Sequence, residues 1–265
     1  MNKHQIEGFI STPIRRKFTV PLSLIGAILL WQILTVVGNF PAFILPSPTD
    51  VFTRMVQLIG DGSLLYHSMI TLGEVISGLV IGLVAAVVLG YLLAKNRVLE
   101  KVLSPYIVAS QAIPIVAIAP LLVIWFGPGI LSKVLITALI VFFPILVNII
   151  VGVRAVTDQY YELMRSLKAT KWQTLRFLEI PAAMPVFLGG LRIGATLAVI
   201  GAVVGEFVGA DRGLGFLVNL GRGLYDTALV FVSIITLVIM ALVIYGGVSL
   251  LDKWFLTWMQ PREIS

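Results

Sequence analysis

The chain has 265 residues, 58% of them hydrophobic and 12% charged, with no cysteine and a formal net charge of +6. Soluble domains carry about 25% charged residues, so this composition excludes an ordinary soluble domain, and the missing cysteines exclude disulfides, thiolate metal sites and cysteine nucleophiles. The apolar residues gather into long uncharged runs, and a membrane crossing needs about 20 such residues. The expected fold class is therefore all-α, a polytopic membrane protein with about six transmembrane helices.

The chain opens on a basic stretch, Arg15, Arg16 and Lys17, which leads into an apolar run at Pro21–Gly38. That run has no clear small-residue cleavage site and is expected to stay as the first span. A second span is predicted over Ser68–Ala94, interrupted only by Glu74. The third lies within Val102–Trp125. It holds Pro105, Pro114 and Pro120, and proline removes a backbone donor from a helix. Freed carbonyls at membrane depth must meet protein, water or a cavity. Pro114 and Pro120 therefore point either to a bent helix lining an aqueous path or to an ordinary kink.

The fourth span is predicted within Val134–Val153, the fifth over Ala183–Gly205 with Arg192 inside it, and the sixth over Thr227–Leu251. Glycines recur at Gly78, Gly82 and Gly90 of the second span and at Gly189, Gly190, Gly194 and Gly201 of the fifth. Small residues at such spacings let helices approach closely, within the chain or across a dimer face. With both termini inside, 14 Lys and Arg fall in cytoplasmic segments and 4, namely Arg54, Lys133, Arg212 and Arg222, fall outside. Cytoplasmic loops are enriched in Lys and Arg, so this bias favours both termini in the cytoplasm. The net charge then marks orientation, and no nucleic-acid partner is expected.

The domain expectation is a cytoplasmic tail at 1–20, a transmembrane domain at 21–251 and a second tail at 252–265. Membrane lipid is the surrounding medium. Ionisable groups at membrane depth are costly and usually face the bundle interior or water. Glu74 and Glu206 are predicted at one outer level, either lining a vestibule or bordering headgroups, and Arg192 either snorkels or serves the bundle. Gln111 and Trp125 offer hydrogen bonding and stacking along a path, although packing explains Trp125 equally well. His4 and His67 lie far apart and make a poor metal site, so no metal and no cofactor are expected. The Gly209–Gly215 run lacks the phosphate-loop spacing.

One polar island interrupts the hydrophobic text: ELMRSLKATKWQTLRFLEIPAAMP, Glu162–Pro185. Thr157 and Asp158 start a helix there. Leu163, Leu167 and Trp172 give it an apolar face, while Pro181 and Pro185 punctuate the next span. Such a helix beside a membrane is either an interfacial anchor or a partner's docking element.

This island resembles the cytoplasmic loop signature of ATP-binding-cassette importer permeases, with matches at Glu162, Ala169 and Pro181 and in the flanking Ser166 and Trp172. Leu163 and Met164 replace two usual alanines, and Lys168 stands where glycine is usual, which suggests a more regular helical turn. LPSPTDV (Leu45–Val51), SQAIPIVAIAPLLVIWFGPG (Ser110–Gly129), FFPILVNIIVGVRAV (Phe142–Val156) and Leu191–Leu217 are similar to the nitrate, sulfonate and taurine permease family. Glu74 sits where many sulfonate-type members carry arginine, which looks like the branch for riboflavin or pyrimidine precursors of thiamine.

The resemblance implies a non-catalytic translocation subunit in the bacterial inner membrane. Its loop at 155–182 would hold a coupling helix, with Glu162, Ser166, Lys168, Ala169, Trp172 and Pro181 contacting cytosolic ATP-binding subunits. Glu74, Gln111, Pro114, Pro120, Trp125 and Glu206 would border the path. An extracytoplasmic solute-binding protein and a second permease copy complete the expected partners. The alternatives are a path for sulfonate, taurine or nitrate-type anions, an ion-coupled secondary transporter, and a membrane-embedded enzyme.

Overall fold

A computed structural model describes residues 13–255, with side chains from Pro21 onward; the tails expected at either end lie largely outside the described residues. The elements, in chain order, are α1 (Pro13–Gly38), α2 (Pro48–Gly60), α3 (Ser63–Lys95), α4 (Arg97–Ala112), α5 (Ile115–Phe126) and α6 (Ile130–Arg154). After these come α7 (Asp158–Ser166), α8 (Lys171–Thr174), a π-helical turn at Leu175–Glu179, α9 (Ile180–Gly209), α10 (Leu214–Gly223) and α11 (Thr227–Phe255). The described residues contain five helices long and apolar enough to cross a membrane, or six if the bent pair α4 and α5 forms one span.

The core is a three-helix layer with α6 in the middle. Its buried side chains, among them Val141, Ile145 and Leu146, meet α3 on one flank and α9 on the other. Glycine permits this close approach. A Cβ on Gly82 would lie 2.6 Å from the Ala138 carbonyl oxygen, and one on Gly201 would lie 2.7 Å from the Thr137 Cα. Consecutive residues of α6 are thus clasped from both sides, as the glycine spacing in the second and fifth spans anticipates.

The predicted third span is two helices bent by 95°. Ile113 leaves helical geometry, and Pro114, at φ −62° and ψ 120°, becomes the N-cap of α5. The residue before a proline is biased against the α region, so the break falls where that bias acts. Pro120 lies inside α5 without ending it. α4 buries no residue, and α5 buries only Ala119.

Two short helices at the end of the bundle opposite α7 escaped the hydropathy pattern. α2 starts with Pro48 behind a capping box. Ser47 N–H donates to Asp50 Oδ2 at 3.0 Å, and Asp50 N–H donates to Ser47 Oγ at 3.2 Å. The Ser47 hydroxyl, which donates to Asp50 Oδ2 at 2.7 Å, and after it the Ser47 N–H hold the Asp50 carboxyl below the usual carboxylate range. α2 buries Val51 and Leu58 and is tied to the start of α11 by Arg54–Asp226 at 2.8 Å.

Candidate functional site

The polar island is two helices rather than one. α7 ends at Ser166, and α8 begins a helical stretch that runs on through the π turn to Gly209. Between them lies a left-handed turn. Lys168 has φ +52°, Lys168 N–H donates to the Arg165 carbonyl at 2.9 Å, and Ala169 N–H donates to the Met164 carbonyl at 2.9 Å. This pair of bonds is the Schellman motif, in which the left-handed position is usually glycine. The expected regular turn at Lys168 is therefore corrected: the backbone keeps the shape that glycine would favour, and lysine tolerates it at a steric cost.

Thr170 then opens α8 with its own capping box, donating its N–H to Gln173 Oε1 at 2.7 Å. The π turn stands immediately before Pro181, which has no N–H to continue the regular ladder. Pro181 and Pro185 thus sit within a continuous helical stretch instead of bounding it. Glu162, Ser166, Lys168 and Trp172 are exposed, Ala169 and Pro181 partly so. Leu163, Leu167 and Trp172 are also uncovered, at 53%, 68% and 65% exposure. The island therefore presents a mixed apolar and charged surface that stays uncovered among the described residues.

Behind α7 is a half-buried polar cluster that the sequence did not suggest. Glu179, 2% exposed, accepts from Lys95 Nζ at 2.5 Å and from the Tyr91 hydroxyl at 2.9 Å. Tyr161 lies beside it, with Lys95 Nζ 5.1 Å from its ring centre. Burial, with the Glu179 charge next, pushes the Tyr161 hydroxyl up to about 12. Nearby, Arg154 reaches Glu100 at 2.5 Å and the Leu93 carbonyl at 3.1 Å, tying the end of α6 to the α3–α4 junction.

At the opposite end, Glu206 places its carboxyl group at the N-terminus of α10. Its Oε2 accepts from the N–H groups of Gly215 and Phe216, the latter at 3.3 Å, and its Oε1 accepts from Thr71 Oγ1 at 2.6 Å. Thr71 Oγ1 in turn accepts from Leu214 N–H at 2.8 Å, and His67 Nδ1 accepts from Gly213 N–H at 2.9 Å. Exposed donors and the helix dipole make a helix start favourable for a carboxylate. Gly213, at φ +108°, leaves room for it: a Cβ there would lie 2.2 Å from Glu206 Oε1.

Glu74, the neighbour of Glu206, is 3.6 Å from Lys133 Nζ. Glu74 and Glu206 are each 1% exposed and Lys133 is 3% exposed, so these groups point into the chain's own packing and not into an open vestibule. Lys133, counted among the outer-loop charges by sequence, is a buried partner. The signal for it was the need of a buried Glu74 for a cation. Arg192 does not simply snorkel, because it pairs with Asp252 of α11. Gln111, Pro114, Pro120 and Trp125 all lie exposed along α4 and α5 and are not brought together with the two carboxylates.

The family model described as "Binding-protein-dependent transport system inner membrane component" matches residues 78–263. The chain belongs to that family. The permease is 45% identical to the riboflavin transport system permease protein RibX of Chloroflexus aurantiacus, over 90% of this chain and 89% of the relative. It is 37% identical to the formylaminopyrimidine transport permease protein ThiX of Halalkalibacterium halodurans, over 88% and 92% of the two chains. A crystal structure of the MetNI methionine ABC transporter in inward-facing conformation matches the fold. Its TM-score is 0.60 at 20% identity, covering 76% of this permease and 98% of that chain. The permease is thus an inner-membrane, multi-pass translocation component of the ABC importer class, and its family implies ATP-binding subunits and a solute-binding protein as partners.

Proposed function

We propose that this permease carries riboflavin, or a pyrimidine precursor of a vitamin, inward across a bacterial cytoplasmic membrane. The observation that carries this reading is the 45% identity to RibX over nearly the whole length of both chains. The relationship to ThiX points to the same kind of cargo, a flat heterocycle. A mostly apolar path suits a heterocycle better than a strongly charged oxyanion, because an unpaired anion at membrane depth is costly. The taurine and sulfonate permeases among its relatives are less similar, at 29% and 30% identity, and supply the second reading.

In this proposal ATP is hydrolysed on partner subunits, which grip the exposed surface of α7 and the Lys168 turn. Glu162, Ser166, Lys168, Ala169 and Trp172 make that contact, and Pro181 with the π turn passes the movement into α9. The excess of Lys and Arg at this end supports a cytoplasmic location for it and for both termini. The uncovered α4–α5 arm, carrying Gln111, Pro114, Pro120 and Trp125, faces a second copy of the chain across a shared path. ATP binding then shifts the population between inward and outward openings.

The test is ATP-dependent uptake in proteoliposomes holding the permease, its ATPase subunits and its binding protein. Labelled riboflavin, formylaminopyrimidine and taurine are offered in turn. Uptake of a heterocycle but not of taurine is expected, and taurine uptake alone overturns the cargo. Replacing both Glu162→Lys and Trp172→Ala is expected to lower uptake by about tenfold or more while the permease stays folded. Unchanged uptake removes the coupling role from this surface.

A further inference from the structure

We propose that the permease holds an anionic phospholipid at the α7 end, with one acyl chain in an apolar groove and the phosphate in a basic pocket beside it. The groove has a volume of about 460 Å³ and runs between α3 and α9 over α6, lined by Val88, Leu92, Ile149, Ala183, Met184 and Phe187. The pocket is about 690 Å³ and is lined by Lys95, Arg97, Arg154, Asp158, Tyr161 and Arg165. Both volumes lie in the range of sites that bind small molecules. Val153 lines both cavities, so they adjoin. The Tyr91–Glu179–Lys95 cluster stands at their border.

The charges select the occupant. Arg154 is committed to Glu100 and Lys95 to Glu179. Arg97 and Arg165 have no ion-pair partner among the described residues, and Asp158 is the acid in the pocket lining. Two guanidiniums against one carboxylate leave the pocket short of negative charge. A soluble anion would leave the apolar groove empty, and an apolar molecule would leave the arginines unmatched. An amphiphile with an anionic head satisfies both. The groove opens sideways between two membrane-spanning helices, where Val88 and Leu92 are 57% and 51% exposed, which is the depth an acyl chain occupies. Basic pockets between spans at a membrane surface are suited to anionic headgroups. The proposal rests on neither the cargo nor the coupling role proposed above, only on the embedding of α3 and α9 in a bilayer.

The test uses the full-length permease in detergent, equilibrated with equal phosphatidylglycerol and phosphatidylcholine of identical chains, and native mass spectrometry to count what stays bound. One phosphatidylglycerol per chain is expected, retained about fivefold or more over phosphatidylcholine, a preference that the two arginines share. Replacing Arg97→Gln and Arg165→Gln together is expected to bring the preference close to one. Val88→Trp, which fills the groove from an exposed position, is expected to lower retention of both lipids. If the double variant fails to elute as folded permease, Arg97→Gln alone must still lower the preference about twofold. Equal retention of the two lipids by the native chain overturns the proposal, as does a preference that survives loss of the arginines. Lipid that leaves when the chain dimerises places a second copy in the groove and also overturns it.

Discussion

At the α10 end of the permease a carboxylate, Glu206, is buried under backbone and hydroxyl donors, whereas at the α7 end Glu162 lies in the open beside uncovered Leu163 and Leu167. Both ends use short helices, capping boxes and a left-handed backbone position, yet one is packed and the other is not. α10 buries Leu214, Gly215, Leu217 and Gly221, while α7 and α8 bury no residue. Burial makes a polar group expensive to leave unpaired, so the α10 end tolerates little change. Exposure lets the α7 end exchange one partner for another. The contrast suits a protein anchored at one end and moved at the other.

The sharpest way to break the contrast is Gly213→Val. The new residue would need a left-handed backbone and would place its Cβ on the Glu206 carboxylate. A loss of about 4 kcal/mol is expected from the two effects together, seen as a collapse in folded yield or melting temperature in detergent. Next comes Glu206→Ala, which strips the acceptor from Thr71, Gly215 and Phe216. About 2–3 kcal/mol is expected to be lost, with Glu206→Gln losing less because one oxygen remains as an acceptor. Native-like melting of either variant would mean that the α10 end is not the fixed one.

The sequence made much of this legible. The apolar runs located the spans, and the glycines of the second and fifth runs marked helices that approach a neighbour closely. Proline at 114 foretold the bend, because the clash it imposes on Ile113 is local. The failures were nonlocal. Lys133 looked like a loop charge because nothing within a few residues reveals that Glu74 sits opposite, 59 positions earlier in the chain. Glu74 and Glu206 were open to a vestibule or to the headgroups, because hydropathy reports depth and not direction, and both are buried instead. The Lys168 turn was misjudged for another reason: residue type gives a preference for φ, and the surrounding Schellman bonds override it.

Lys168→Gly sharpens the comparison from the other side. Removing the Cβ at φ +52° is expected to stabilise the α7–α8 turn locally by about 1 kcal/mol. Hydrogen exchange of the Lys168 and Ala169 amides should slow about fivefold, with the melting temperature of the whole chain unmoved. Equal stabilisation of the whole chain would show that the two ends are thermodynamically one unit.

The smallest effect sets two matched caps against each other. Ser47→Ala and Thr170→Ala each remove the hydroxyl of a capping box, a change worth about 1 kcal/mol wherever a cap is tested. α2 is packed through Val51 and Leu58 and joined to α11, so the loss at Ser47 should reach global melting. α8 buries nothing, so the loss at Thr170 should appear only as faster local exchange. pH distinguishes them as well. The Ser47 bonds depress the folded-state Asp50 pKa, so their stabilisation is complete above the unfolded value of about 4 and fades as pH falls through the lower folded one. The gap in melting temperature between native and Ser47→Ala permease should therefore narrow on acidification, while Thr170→Ala, whose box partner is the neutral Gln173, keeps the same local effect throughout. A Thr170→Ala loss that spreads to the whole chain would place the α7 end within the same rigid body as the α10 end and end the contrast between them.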